Sequence, residues 1–247
     1  MALKTILNYS PNFNSKKRTS TQIKFIIFHY TGMKNESNAL KRLTDIQSEV
    51  SCHYLIKNNG KIVKIVPDLY IAWHAGKSSW KNHKSLNQNS IGIEITNPGH
   101  EYGYKKFTQK QITSLLKLSK FLIKKYKISS KNILGHSDIA VLRKKDPGEK
   151  FPWEYLSKNK IGIWHTLNKQ DLSKNRKIKI SKIEENIFFR NLFKIGYSKK
   201  YSKDNSKNKY LRELTKTFQR RFRQELVDGK IDQECLLISK SLIKVYN

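Results

Sequence analysis

Three residues that can bind a metal ion occur where the chain is expected to hold them in place. His136 precedes Asp146 in the stretch ILGHSDIAVLRKKDPG, and His29 lies at the end of the strand-like run IKFIIFHY. Pro147 restricts Asp146 to an extended backbone and Gly148 permits a sharp turn, so Asp146 should lie on a stiff loop. Two imidazoles and a carboxylate, with one position left open, are a usual set for catalytic zinc. Each residue alone would more often be an ordinary histidine or turn aspartate.

Two further residues could act on a substrate beside such a metal. Glu94 lies within the apolar run SIGIEIT, where a carboxylate is expensive to bury without a partner or a function. It is either a general base or a carboxylate paired with a lysine or arginine. Lys144, two residues before Asp146, would stabilise an oxyanion in one interpretation and is a solvated surface lysine in the other.

The motifs FHYTG, SIGIEITNPG and GHSDIAVLRKKDPG together resemble those of zinc-dependent N-acetylmuramoyl-L-alanine amidases, whose fold is shared with peptidoglycan recognition proteins. The resemblance implies one zinc ion per chain, with His29, His136 and Asp146 as ligands. It also supports Glu94 as the base. In some members a tyrosine immediately before the histidine of the second strand assists catalysis. Cys52 stands at that position here, which leaves more of the catalytic work to Glu94.

The reaction implied is hydrolysis of the amide between the lactyl group of N-acetylmuramic acid, or its anhydro form, and the L-alanine of the stem peptide. Peptidoglycan or muropeptides would then be the partner, in cell-wall turnover or recycling. Two alternatives are a non-catalytic recognition module of the same fold and a basic nucleic-acid-binding protein. The second alternative gives the metal-binding residues no role.

The stretch IAWHAGKSSW is expected to line the substrate groove, because aromatic faces suit sugar rings and a glycine lets a ligand approach the backbone. Tryptophan is as often simply part of the core. The predicted substrate contacts are Tyr30, Trp73, His74, Ala75, Gly76, Trp80 and Asn97.

The formal net charge of +31 suggests an anionic partner, but the basic residues are spread along the chain. Only nine of the 50 are arginine, the residue that best reads bases. We therefore expect most of this charge to be solvated. A cell-wall polymer or an anionic membrane surface is as plausible a partner as nucleic acid, and no nucleic acid is expected. The two cysteines, Cys52 and Cys235, provide no disulfide framework.

Strand and helix patterns alternate, which predicts an α/β fold around one sheet. Buried strands are predicted at 23–28 and 90–96, and the clearest helix at 108–126, where Thr108 and Gln111 form a capping box. The resemblance implies a mixed central sheet flanked by helices, with a small C-terminal three-helix domain.

The predicted domains are a catalytic domain at 1–172 with a flexible lead-in at 1–20, a basic linker at 173–183, and a helical domain at 184–247. The pieces NLFKIGY, FQRRF and DGKIDQE of the last domain resemble a peptidoglycan-binding module. The alternative is a helical appendage without that function.

Neither a continuous apolar segment near the N-terminus nor a membrane-spanning run is visible, so we expect no classical secretion signal. A bacterial protein in the cytoplasm or associated with the cell envelope fits this pattern. The missing signal favours recycling of soluble muropeptides, whereas the C-terminal helices favour polymeric wall.

Overall fold

A six-stranded mixed β-sheet forms the centre of the protein. The computed structural model describes residues 3–199 and 206–246. Its strands are β1 (Ile6–Leu7), β2 (Phe13–Asn14), β3 (Phe25–Tyr30), β4 (Tyr54–Ile56), β5 (Ile62–Lys64), β6 (Ile71–Ala72), β7 (Ser79–Trp80), β8 (His83–Lys84), β9 (Ser90–Ile95) and β10 (Ile133–Gly135). The order in the sheet is β1-β5-β4-β9-β3-β10, in which only the β4–β5 pair is antiparallel. The predicted mixed sheet is therefore confirmed.

The first four residues of strand β3, residues 25–28, are apolar, and both faces of the strand are covered there. Ile26 and Phe28 pack into a cluster with the long helix over one face. Phe25 and Ile27 pack into a second cluster on the opposite face. Side chains alternate along a strand, so His29 emerges on the same face as Phe25 and Ile27.

Helices flank this sheet on both faces. They are α1 (Glu36–Thr44), α2 (Gln109–Tyr126), α3 (His136–Ile139), α4 (Trp153–Lys158), α5 (Lys169–Lys174), α6 (Lys182–Ile195), α7 (Lys207–Phe222) and α8 (Gln233–Tyr246). The capping box predicted for α2 is present: Oγ1 of Thr108 accepts from the amide of Gln111, whose side chain accepts from the amide of Thr108. None of the described helices is long and apolar enough to cross a membrane.

The three C-terminal helices share a core with the sheet. Phe188, Leu192, Phe218 and Leu236 belong to the same apolar cluster as Ile27 of β3. The predicted linker also contacts the C-terminal helices. Helix α5 extends into it, and Arg176 forms a salt bridge 2.7 Å long with Glu234 of α8. The division into 1–172, 173–183 and 184–247 stays a prediction. The contacts described here join the three parts, so they bear on whether one part can fold without the others.

A buried ion pair joins α7 to the short helix α3. Arg221 pairs with Asp138 and donates to the carbonyl oxygen of Ile133 at 3.0 Å. The hydroxyl of Tyr197 donates to the same carboxylate at 2.8 Å. Oδ2 of Asp138, the oxygen that Arg221 contacts, also accepts from the amide of Gly135, which precedes α3. One carboxylate thus links the C-terminal helices to the turn between β10 and α3.

Candidate active site

The potential metal ligands lie at the carboxyl ends of neighbouring parallel strands. His29 is near the end of β3, and His136 immediately follows β10, which pairs with β3 so that Gly135 lies opposite Phe28. Asp146 comes from the loop after α3, and its carbonyl oxygen accepts from the amide of Ser137 at 2.9 Å. The carboxyl ends of adjacent parallel strands are a common place for ligand sites.

The ligand atoms of these three residues converge. The Nδ1 atoms of His29 and His136 lie 2.9 Å apart, and each is 3.1 Å from Oδ2 of Asp146. Tetrahedral ligands at normal zinc distances lie about 3.3 Å from one another, so this triangle is close to that spacing. Nε2 of His136 donates to the carbonyl oxygen of Ala75 at 3.1 Å, which leaves its Nδ1 with a free lone pair. The donor set therefore fits a divalent metal ion such as zinc.

The ionisation of the ligands also suits a cation. Burial, and then the neighbouring His136, lowers the pKa of His29 to about 4, so that its imidazole is neutral at pH 7. Burial alone would raise the pKa of Asp146, but His136 and His29 hold it well below its usual range. A metal ion binds a neutral imidazole and a carboxylate, and His29 and Asp146 present these forms at neutral pH.

Glu94 lies beside this cluster with one oxygen unpaired. Strand β9 places Glu94 opposite His29 in register, so both side chains are on one face of the sheet. Its Oε2 is buried and accepts no hydrogen bond within the described part of the chain. Burial and then the charge of Asp146 raise the pKa of Glu94 to about 8, while Lys144 lowers it. That value is suited to a group that exchanges protons near neutral pH.

A cavity of about 610 Å³ opens over these residues, and five basic side chains line it. Glu94, His136 and Asp146 line its floor together with Lys144. The five basic residues are Lys34, Arg42, Arg143, Lys144 and Lys145.

Some predicted substrate contacts reach this cavity and others lie next to it. Tyr30 and His74 line it. Trp73 is half-buried instead, and its indole nitrogen donates to Oδ1 of Asn14 at 2.6 Å. Gly76 is exposed with a φ of +55°, and a Cβ there would come 3.2 Å from the guanidinium of Arg143.

Three predicted groove residues lie in the interior. Trp80 is 1% exposed and packs edge-on against Tyr197, because β7 turns it toward the C-terminal helices. The Ala75 side chain is fully buried, and only its carbonyl oxygen serves the site. Asn97 is buried too: its side chain donates to the carbonyl oxygen of Lys105 and accepts from the amide of Gly99. The residue types in the sequence did not show whether these side chains face the cavity or the interior.

The sequence interpretation missed several residues around the site. Arg143 donates to the carbonyl oxygen of Ala75 at 2.7 Å, the same atom that receives the hydrogen bond of His136. His100 bridges the hydroxyl of Tyr30 and the carboxylate of Glu149, at 2.9 and 3.0 Å. Arg143 is adjacent to the predicted Lys144, but a basic residue in so basic a chain gives little signal. His100 follows a Pro-Gly turn with no periodic context.

Comparisons with known proteins agree with this geometry. The family model of N-acetylmuramoyl-L-alanine amidases, Amidase_2, matches residues 19–149. The N-acetylmuramoyl-L-alanine amidase AmiD of Escherichia coli K12 is 34% identical over 237 residues, 91% of this chain and 84% of AmiD. The 1,6-anhydro-N-acetylmuramyl-L-alanine amidase AmpD of Haemophilus influenzae is 34% identical over 167 residues, 60% of this chain and 88% of AmpD.

A solved structure resembles nearly the whole chain. It is the complex of AmiD from E. coli with the substrate anhydro-N-acetylmuramic acid-L-Ala-D-gamma-Glu-L-Lys. The TM-score is 0.78 at 32% sequence identity, and the match covers 94% of this chain and 93% of that one. The similarity therefore includes the C-terminal helices as well as the sheet.

Proposed function

Because the chain belongs to the N-acetylmuramoyl-L-alanine amidase family, we propose that it hydrolyses the amide between the lactyl group of N-acetylmuramic acid, or its anhydro form, and the L-alanine of the stem peptide. The observation that carries this proposal is the convergence of two histidine Nδ1 atoms and one aspartate oxygen within 3.1 Å of one another, beside an unpaired glutamate. Muropeptides are the substrate class, as in the AmiD complex.

His29, His136 and Asp146 are the proposed ligands of one zinc ion. When bound, such an ion acidifies water and polarises a carbonyl group. The burial of all three side chains keeps bulk water from competing for the ligand atoms. The hydrogen bond from His136 to Ala75 fixes the orientation of one ligand ring.

Glu94 is the proposed proton carrier. Its carboxylate takes a proton from the attacking water and passes it to the nitrogen of the leaving L-alanine, which must depart as an amine. Lys144 is placed in the same cavity to stabilise the negative charge that develops on the scissile carbonyl oxygen. Cys52 takes no such part, because burial raises the pKa of its thiol well above the usual value.

Incubation of the purified protein with anhydro-N-acetylmuramyl tripeptide tests the proposal. We expect mass spectrometry to detect the free tripeptide, a chelator to stop its release, and added zinc to restore it. Release of another fragment, or no release by zinc-loaded protein, would contradict the proposed reaction. Intact sacculi assayed in parallel distinguish polymeric from soluble substrate.

The C-terminal helices are proposed to retain the protein on polymeric peptidoglycan. A groove of about 430 Å³ between α6 and α7 is lined by Phe189, Leu211 and Ile231 among charged residues. We expect Phe189→Ala to reduce pelleting with sacculi in 1 M salt, where charge attraction is screened within about 3 Å. Phe121→Ala, a change at an exposed phenylalanine of α2, is the matched control. Equal pelleting of both variants would contradict a specific groove.

The relatives reported above are bacterial. The cytoplasm and the cell envelope both supply muropeptides, and fractionation of cells that express a tagged full-length chain separates the two compartments.

A further inference from the structure

A chain of hydrogen bonds runs from the proposed ligand His29 through His74 and Ser90 to the main chain of Leu86. Nε2 of His29 lies 3.0 Å from Nδ1 of His74. Nε2 of His74 lies 3.2 Å from Oγ of Ser90, which lies 2.5 Å from the carbonyl oxygen of Leu86. All three side chains are buried, so these contacts replace water as their hydrogen-bond partners.

The last hydrogen bond of this chain, to the carbonyl oxygen of Leu86, determines which atom donates and which accepts in each of the others. A carbonyl oxygen only accepts and a hydroxyl has a single proton, so Ser90 donates to Leu86 and accepts from His74. Nε2 of His74 therefore carries its proton, and Nδ1 of the neutral ring is an acceptor. His29 must donate from Nε2, which leaves the lone pair of its Nδ1 free. That Nδ1 is the atom directed at His136 and Asp146.

Gly92 makes the space that the His74 ring occupies. A Cβ at Gly92 would lie 2.4 Å from Cγ and 2.6 Å from Nδ1 of His74. Glycine weakens the interior of a strand, and one use of it there is the close approach of another group. Gly92 is in β9 opposite Ile27 of β3, so the ring lies against the sheet beside the strand that carries His29.

We propose that His74 and Ser90 are positioning residues that hold His29 as the tautomer with a free Nδ1 and thereby increase the affinity of the site for zinc. This role is separate from the substrate contact predicted for His74, which lines the cavity and for which that contact stays a prediction. The inference rests on His29 being a zinc ligand, as proposed above. Outer partners of ligating histidines typically change metal affinity by about 10–100-fold.

Zinc affinity in four full-length variants tests the proposal. Competition with a chelator of known affinity should give a zinc dissociation constant about 10–100-fold higher in His74→Leu than in the unmodified protein. His74→Asn should restore most of the affinity, because Oδ1 of asparagine can take the place of Nδ1 as the acceptor. Ser90→Ala should weaken binding in the same direction. Ser119→Ala removes a hydroxyl that is equally buried but lies in α2, and should leave the affinity unchanged.

The tautomers can be measured directly without metal or turnover. Two-bond proton–nitrogen spectra of the metal-free, ¹⁵N-histidine-labelled protein should show the proton of both His29 and His74 on Nε2. In Ser90→Ala we expect a mixture of tautomers at His29. A proton on Nδ1 of His29 in the unmodified protein would overturn the proposal, as would unchanged zinc affinity in a folded Ser90→Ala variant. Both results are independent of whether the protein is an amidase. If His74→Leu does not fold, the Ser90→Ala variant and the spectra decide.

Discussion

His29 and Glu94 are register partners on adjacent parallel strands, β3 and β9. The sheet thereby places a proposed metal ligand and the proposed proton carrier on one face, a single strand spacing apart. Their relative position depends on main-chain hydrogen bonds and not on a flexible loop. The pairing does not fix His136, which follows β10, or Asp146 and Lys144, which come from a loop.

Removal of any one ligand should empty the metal site. We expect His29→Ala, His136→Ala and Asp146→Ala each to lose zinc on dialysis and to lose activity, because two ligands leave the coordination incomplete. Zinc per chain is measured by elemental analysis. His83→Ala is the control, since that histidine contacts Asn89 and lies outside the cluster. Full zinc content in one of the three variants would remove that residue from the site.

Replacement of the proposed proton carrier should separate metal binding from turnover. Glu94→Gln should keep zinc and the fold but reduce kcat by about 10²–10⁴-fold, because an amide cannot accept the proton. Glu101→Gln changes a second glutamate of the same cavity that is exposed, and should have little effect. A near-normal kcat in Glu94→Gln would mean that another group is the base.

Glu94 should also make the stability of the metal-free protein depend on pH. Its pKa is raised from 4.5 to about 8, so the folded chain keeps a proton that the unfolded chain releases in this range. The free energy of unfolding therefore loses this contribution as the pH rises from about 4.5 through about 8. Comparison with Glu94→Gln cancels the opposite contribution of His29, whose pKa is lowered to about 4.

The measurement is the difference in Tm between chelator-treated Glu94→Gln and unmodified protein at pH 5 and pH 8. We expect the variant to gain in relative stability at the higher pH. The same difference at both pH values would show that Glu94 ionises near its ordinary pKa.

The buried pair between Arg221 and Asp138 should be important for stability. Arg221→Met leaves Asp138 without its cation and should lower the free energy of unfolding by about 3–5 kcal/mol. Arg190→Met, at an exposed position of α6, should change it by less than about 0.5 kcal/mol. Denaturant titrations of both variants give the comparison, and equal midpoints would contradict a stabilising link.

This link changes the expectation for a chain truncated near Lys182. The proposed catalytic residues all precede that point, so the sequence alone predicts that the N-terminal fragment stays active. The structure shows that truncation would also uncover Phe25, Ile27 and Leu134, which share an apolar cluster with the C-terminal helices. We expect such a fragment to aggregate. A soluble, active fragment on size-exclusion chromatography would contradict this.

The sequence predicted correctly those features that depend on residues close together in the chain. The capping box at Thr108 and the apolar run before His29 gave the correct elements, because both signals lie within a few residues. The ligand cluster was predicted from separate motifs, and the structure brings them together. The chain of hydrogen bonds from His29 to Ser90 and the burial of Trp80 depend on packing between distant segments, which a single sequence does not reveal.

The basic rim of the cavity has a consequence for how quickly a substrate arrives. Lys34, Arg42 and Lys145 are exposed at its edge, and Glu101 is the exposed acid among its lining residues. A stem peptide carries carboxylates, so the field of the rim draws it inward during diffusion. The rate of encounter should then fall steeply as ions shorten the range of that field to about 8 Å at physiological salt. Capture of dilute muropeptide would be governed by the ionic strength of its surroundings, while the chemical step behind the rim is shielded from it.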